Sequence, residues 1–264
     1  MLAHREMAVL RVRVRTGRGA CDDREGDTRR IMTTLPPSYT VIAIDGPSGA
    51  GKSTAARRLA QHLGYHYVDS GAVYRAVGWM VYTHEVPLHD SAAIVALLQC
   101  TTIEVTFPHG QSAVWVNGEN VTCCLRGEAV GKAASAVATQ PAVRQVVTEK
   151  LRLLGRQAPL VMEGRDIGTV VFPDATIKFF LDASLEVRAR RRFQEMQQAE
   201  QGMTLDEVYQ AVAMRDSQDQ TRTAAPLACA PDAQVIDTTA LTVDDVVRIM
   251  LSGVRHIRGE SGGL

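Results

Sequence analysis

Ten residues, DGPSGAGKST from Asp45 to Thr54, follow directly on the apolar run VIAI and lead into the helical pattern STAARRLAQHL. Gly46 to Ser53 fit G-x-x-x-x-G-K-[ST], the spacing with which a strand turns into a helix through a loop of inward-facing peptide N–H groups. Gly46, Gly49 and Gly51 let that backbone curl, and the helix start adds partial positive charge, so the loop suits phosphate oxygens. The nucleotide-binding residues predicted here are Gly46, Pro47, Ser48, Gly49, Ala50, Gly51, Lys52, Ser53 and Thr54. Lys52 is expected at the β- and γ-phosphates, and the Ser53 hydroxyl at Mg²⁺. A loop of this kind requires a buried strand before it and a sheet around that strand.

Four further segments supply the sheet: YHYVDSG, PLVMEG, TIKFFLDA and AQVIDTT. Each is a short apolar or β-branched run of the sort buried on both faces of a parallel sheet, with helical patterns between. The five runs end at Asp45, Asp69, Glu163, Asp182 and Asp237. Ligands of doubly wound sheets sit beyond the carboxyl ends of the strands, so all five acids are expected at one crevice, with a cation between them and the phosphates. From Gly71 to Leu160 there is more chain than one crossover needs. Here CTTIEVTF and SAVWVNGENVT alternate at period two, and Asn117-Gly118 signals a hairpin. PAVRQVVTEKLRLLG then reads as a helix from Pro141 to Gly155, with Arg144 off its apolar stripe. The predicted fold is α/β: a P-loop three-layer sandwich with a five-stranded parallel sheet, an inserted small antiparallel β element and a helical lid. Its domain spans 39–258, with a core of 39–70, 156–185 and 205–258, an acceptor-binding part at about 71–155 and a lid at about 186–204.

Composition narrows the setting. A formal net charge of zero leaves no global field toward nucleic acid or an anionic membrane, so neither is an expected partner. No apolar run approaches the roughly 18–20 residues of a spanning helix, and a cytoplasmic location is expected. Five cysteines, with no C-x-x-C, suit a reducing compartment, and adjacent Cys123 and Cys124 read as small apolar residues of a folded segment. Residues 1–38 carry LRVRVRTGRG, CDDREGDTRR and TTLPPSYT, and read as a mixed-charge, unstructured extension, although VLRVRVR alternates like a short strand. Met32 is a candidate functional start.

A phosphate-binding loop serves a timer, a motor or a phosphoryl donor. The asparagines, Asn117 and Asn120, are followed by Gly and Val, so the N-K-x-D base-reading motif of switch GTPases is missing. A motor usually brings much more chain. Transfer to a small acceptor remains, and the arginine clusters DSGAVYR, EGRD and RDSQDQTR bear on it, two of them at or just beyond strand ends.

In these strings the sequence resembles the bacterial cytidylate kinase family. The similarity runs from about Thr40 to Val254 through IDGPSGAGKST, VDSGAVYR, AASAVA, Val143-Arg144, EGRDIGTVVFPDA, KFFLDAS, RDSQDQTR and DTTALTVDDVV. It implies ATP as donor, CMP or dCMP as acceptor, Mg²⁺ as cofactor and a monomer. Acceptor-phosphate contacts carry over to Ser70, Arg75, Arg165 and Arg222, with help from Arg215. Cytosine contacts fall on Ser135, Arg144 and Asp166, a sugar contact on Asp219, and Tyr74 joins the CMP-binding set. Lys52, Arg165, Arg188 and Arg192 are the catalytic candidates, with Arg191 beside the last two in the arginine-dense LEVRARRRFQEMQQAEQG. Asp69 or Glu163 would assist Ser53 at the metal through water. The sequence departs from some relatives at Ser53, in the lightly charged SQDQT and in the extension.

Chemistry on the residues agrees with the resemblance. Cytosine offers an amino donor beside a ring nitrogen and a carbonyl, so a carboxylate and a guanidinium together can read it. Asp166 and Arg144 are that pair, and uracil would put a carbonyl against Asp166. Two other readings stay open at this point: a P-loop kinase for a different small acceptor, and a nucleotide-binding regulator without turnover.

Overall fold

The computed structural model describes residues 9–12, 40–106, 112–198 and 202–258. From the N-terminus come β1 (Val9–Val12), β2 (Val41–Asp45), α1 (Lys52–Leu63), β3 (His66–Asp69) and α2 (Ser70–Thr83). The inserted stretch holds α3 (Ser91–Gln99), β4 (Ile103–Thr106), β5 (Ala113–Val116), β6 (Glu119–Asn120), a 3₁₀ turn (Thr122–Arg126), α4 (Glu128–Val137) and α5 (Pro141–Gly155). The chain returns through β7 (Leu160–Glu163), a π-helical turn (Ile167–Val171), β8 (Ile177–Asp182), α6 (Leu185–Gln198), α7 (Leu205–Thr221), β9 (Gln234–Asp237) and α8 (Val243–Arg258).

The five predicted runs form one five-stranded sheet in the order β3-β7-β2-β8-β9. Every pairing within it is parallel. The strand that leads into the phosphate loop is therefore central, flanked by β7 and β8. Its alternation decides the layering. Val41 and Ala43 join a core with Val77 of α2 and Val147 and Leu151 of α5. Ile42 and Ile44 join the opposite core with Leu59 of α1 and Met250 of α8. Helices on both faces make the three-layer sandwich, and the apolar surface they remove from water is the main drive for it.

In the insert, β4, β5 and β6 pair antiparallel, with Asn117 and Gly118 closing the predicted hairpin. Ile103, Val105, Val114 and Val116 are buried in the same cluster as α2 and α5. The insert thus shares a core with one face of the main sheet. Helix α2 crosses α4 at Gly78, where a Cβ would stand 2.6 Å from the Ala134 nitrogen, so only glycine admits that approach.

Two expectations need correction. Val9–Val12, within the extension read as unstructured, pairs antiparallel with β4 from Val9↔Thr106 to Val12↔Ile103 and makes the inserted sheet four-stranded. The alternation in VLRVRVR was a true strand signal there; the rest of the extension, Cys21 and Met32 included, lies outside the described residues. Cys123 and Cys124 do lie in a folded segment, the 3₁₀ turn, but both are exposed rather than packed, as are Cys100 and Cys229. Among the described residues no helix is long and apolar enough to cross a membrane.

Candidate active site

The phosphate loop has the curled backbone its glycines predict, with φ of 144° at Gly46, 79° at Gly49 and 85° at Gly51. A Cβ on Gly46 would lie 1.9 Å from the Leu181 carbonyl oxygen, and one on Gly49 2.9 Å from that of Arg188, so β8 and α6 also demand glycine there. Lys52 opens α1, is buried, and donates from Nζ to the Pro47 carbonyl at 2.6 Å. Burial, then repulsion from Arg165, lowers its pKa to about 7, partly offset by Glu163 and Asp45. Ser53 and Thr54 follow, exposed on the first turn.

Beside the loop, β3 and β7 bring Asp69 and Glu163 into register as neighbours. Glu163 is 3% exposed and accepts a hydrogen bond from the Tyr67 hydroxyl. Burial, then repulsion from Asp69, raises its carboxyl, while Lys52, Tyr67 and Ser53 act the other way. The Glu163 backbone carbonyl accepts from Ser70 Oγ at 2.8 Å, and Asp69 holds Arg75 at 2.6 Å.

Arginines from three chain segments meet here. Arg165 Nε donates to Asp219 Oδ2 at 2.8 Å, and Arg222 Nη1 reaches the other oxygen of Asp219 at 3.4 Å. Arg215 is exposed on α7; desolvation, then repulsion from Arg165, lowers its pKa against the pull of Asp219, and Arg75 and Arg192 add to the lowering. Lys52 feels both Arg165 and Arg215. Such mutual repulsion among cations is what an anion would relieve.

Deeper in, Arg144 and Asp166 form a salt bridge with both side chains 6% exposed. Arg144 Nη1 also donates to the Ala138 carbonyl at 3.0 Å, and its guanidinium lies 5.4 Å from the centre of the Tyr74 ring. Burial raises the Tyr74 hydroxyl to about 12. Arg222 Nη2 is buried without a hydrogen bond, 3.9 Å from Asp166 Oδ1. Burial, then repulsion from Arg144, lowers the Arg222 pKa.

The predicted lid arginines divide. Arg188 is buried; Nε donates to the Ala183 carbonyl at 2.8 Å, and Nη1 to the Ser48 carbonyl at 3.2 Å and to Asp216 on α7. Arg191 donates to the Thr238 hydroxyl and carbonyl, and Thr238 in turn donates to the Ala50 carbonyl at 3.1 Å. Both therefore fasten α6 to the phosphate loop. Arg192 is exposed and pairs with Glu195 one turn away. Ser135, expected at the base, is exposed on α4 and is not drawn into the arginine cluster.

The expected ring of five acids is also corrected. Asp182 caps the Ala183 N–H and Asp237 the Thr239 N–H, while both oxygens of Asp45 accept from Ile167 and Gly168. Backbone donors engage these three, local ones for Asp182 and Asp237 and distant ones for Asp45, which leaves Asp69 and Glu163 beside the loop. Asp216 and Tyr67 were missed in the sequence. Asp216 lies inside the quoted RDSQDQTR and Tyr67 inside YHYVDSG, but neither string shows which partner its side chain meets.

A phosphate loop on the central strand of a parallel sheet, facing a buried carboxylate–guanidinium pair across a field of arginines, defines a P-loop phosphotransferase of the nucleotide-kinase type. Residues 42–256 match the family described as Cytidylate kinase. The chain is 49% identical over 211 residues to a cytidylate kinase of Geobacillus kaustophilus (strain HTA426), covering 79% of this chain and 94% of that one. With a cytidylate kinase of Geobacter sp. (strain M21) it is 41% identical over 235 residues, 88% of this chain and 100% of the relative. This chain belongs to the cytidylate kinase family.

Proposed function

We propose that the protein transfers the γ-phosphoryl group of ATP to CMP or dCMP, giving ADP and CDP or dCDP. One observation carries the choice of base: the buried Arg144–Asp166 pair has Arg222 beside it, and Arg222 shares Asp219 with Arg165, whose charge Lys52 feels. Asp166 accepts from the cytosine amino group and Arg144 donates to the ring nitrogen and carbonyl. Uracil puts a carbonyl where cytosine has its amino group and an N–H where Arg144 needs an acceptor, so CMP exceeds UMP by roughly tenfold or more.

No general base is needed. The second pKa of a phosphate monoester is about 6, so the acceptor is already largely a dianion at neutral pH. Repulsion is the obstacle, since two like charges about 4 Å apart cost on the order of 4 kcal/mol at an effective dielectric near 20. Lys52, Arg75, Arg165, Arg215 and Arg222 supply the opposing charge and hold the two phosphates in line. Arg188 and Arg192 complete this from the lid, Arg192 by leaving its exposed partner Glu195 and Arg188 by exchanging Asp216 for phosphate. Asp219 releases Arg165 and Arg222 to the acceptor phosphate and turns to the sugar. Ser135 reaches the base through movement of α4.

Hard oxygen donors at Ser53, with Asp69 and Glu163 beside it, fit Mg²⁺ bound partly through water. The ion would neutralise charge on the donor phosphates. The protein acts in the cytoplasm as a monomer, in pyrimidine nucleotide metabolism. Purified protein with ATP, Mg²⁺ and a panel of CMP, dCMP, UMP and AMP tests the reading: CMP and dCMP should yield diphosphate and ADP, and equal turnover of UMP or AMP would refute it.

A further inference from the structure

Asp45 ends β2 immediately before the phosphate loop, yet its carboxylate serves the other half of the site. Oδ1 accepts from the Ile167 N–H at 2.8 Å and Oδ2 from the Gly168 N–H at 2.7 Å. These successive peptide groups open the π-helical turn that begins right after Asp166. The Ile167 N–H shares a peptide plane with the Asp166 carbonyl, so gripping it holds in place the plane to which the Asp166 Cα is attached.

Among the described residues no cation forms an ion pair with this carboxylate, and Lys52 acts on it only from a distance. Lys52 Nζ is on the Pro47 carbonyl, and Lys178 Nζ is on the Pro173 carbonyl and Asp232. Asp45 is 4% exposed, and burial raises its carboxyl to about 6 against the pull of the two N–H groups. An acid in such a place is costly unless its two acceptors are needed together. The far side is equally constrained, because a Cβ on Gly168 would stand 3.3 Å from Asp45 Oδ2 and 3.1 Å from Lys178 Cδ.

We propose that Asp45 is a positioning residue for acceptor choice: from the end of the donor-loop strand it clamps the two peptide groups after Asp166 and so aims Asp166 at the base. The proposal rests on the reading of Arg144 and Asp166 as the cytosine-reading pair. It makes one side chain hold the donor loop and the base reader in a common frame.

Asp45→Asn keeps one acceptor and turns an amide N–H₂ toward a peptide N–H, which releases half of the clamp. In steady-state assays with ATP and Mg²⁺, the variant's CMP-over-UMP ratio of kcat/KM should fall about fivefold, through a higher KM for CMP, as expected for one lost hydrogen bond. The KM for ATP should stay within about twofold, because the loop keeps its glycines and Lys52. Gly168→Ala presses on the same clamp without altering charge and should move the ratio in the same direction; it carries the test alone if Asp45→Asn does not fold. A variant that weakens ATP and CMP alike with an unchanged base ratio would overturn the positioning role, leaving only a structural one. A wild-type protein that phosphorylates CMP and UMP equally would instead overturn the base-reading assignment, and this proposal with it.

Discussion

Replacing Asp166 with asparagine isolates what its charge does for base choice. In the structure one oxygen bridges Arg144 and the other lies 3.9 Å from Arg222, all of it buried. Each such pair is worth on the order of 4 kcal/mol of Coulomb energy at an effective dielectric near 20, and truncation to alanine would strand two buried guanidinium groups at about 3–5 kcal/mol. Asparagine keeps the shape and one acceptor, so it separates selectivity from collapse. Its amide N–H₂ can also donate to the uracil carbonyl that Asp166 rejects. Losing one charge-assisted hydrogen bond is worth about 1.5–3 kcal/mol, so the CMP-over-UMP preference should shrink by roughly 10- to 150-fold. The assay is ADP release at saturating ATP with CMP and with UMP, beside a thermal melt and a KM for ATP. The melt should show a folded, weakened protein and the ATP constant should barely move. A folded Asp166→Asn variant with the wild-type ratio of kcat/KM would refute the reasoning, because then the pair is structural and the base is read elsewhere.

Three further outcomes are expected. Lys52 has a pKa lowered to about 7 in the free site, and phosphate should restore it toward its ordinary value; ATP binding at pH 8 should therefore take up about one proton, seen by calorimetry in buffers of different ionisation enthalpy, and Lys52→Arg should abolish the uptake. Gly78→Ala forces a Cβ against the Ala134 nitrogen and the Val130 carbonyl at 2.6 and 2.8 Å, and denaturant unfolding should show a loss of about 1–3 kcal/mol. Breaking the buried Arg188–Asp216 bridge from either side should cost about 3–5 kcal/mol of stability, and a double-mutant cycle with Arg188→Met and Asp216→Leu should show the double variant losing much less than the sum.

Legibility in the sequence followed the range of the forces involved. The phosphate loop, the five strands, the hairpin at Asn117-Gly118 and the helix from Pro141 to Gly155 are set by neighbours in the chain, and each lay where its pattern put it. Asp45 shows the limit. Its place at a strand end made it look like a ligand acid, but its carboxylate is satisfied by peptide groups 122 and 123 residues away, which no local pattern records. The lid arginines show the same limit: a helix with arginines all round does not reveal which one is buried until Asp216 arrives from α7. The strand at Val9–Val12 was visible as alternation, yet its partner β4 lies beyond β2 and β3 of the main sheet.

Because β2 and β7 are hydrogen-bonded neighbours, the loop that holds the donor and the segment that begins with Glu163 leave the sheet side by side. Adjacent strands are held roughly 4.8 Å apart, so the sheet itself acts as a ruler between the phosphate loop and the segment that carries Arg165 and Asp166. Substitutions in the insert or the lid can change who enters and how tightly the door shuts. The spacing of these two segments is set in the rungs of that ladder.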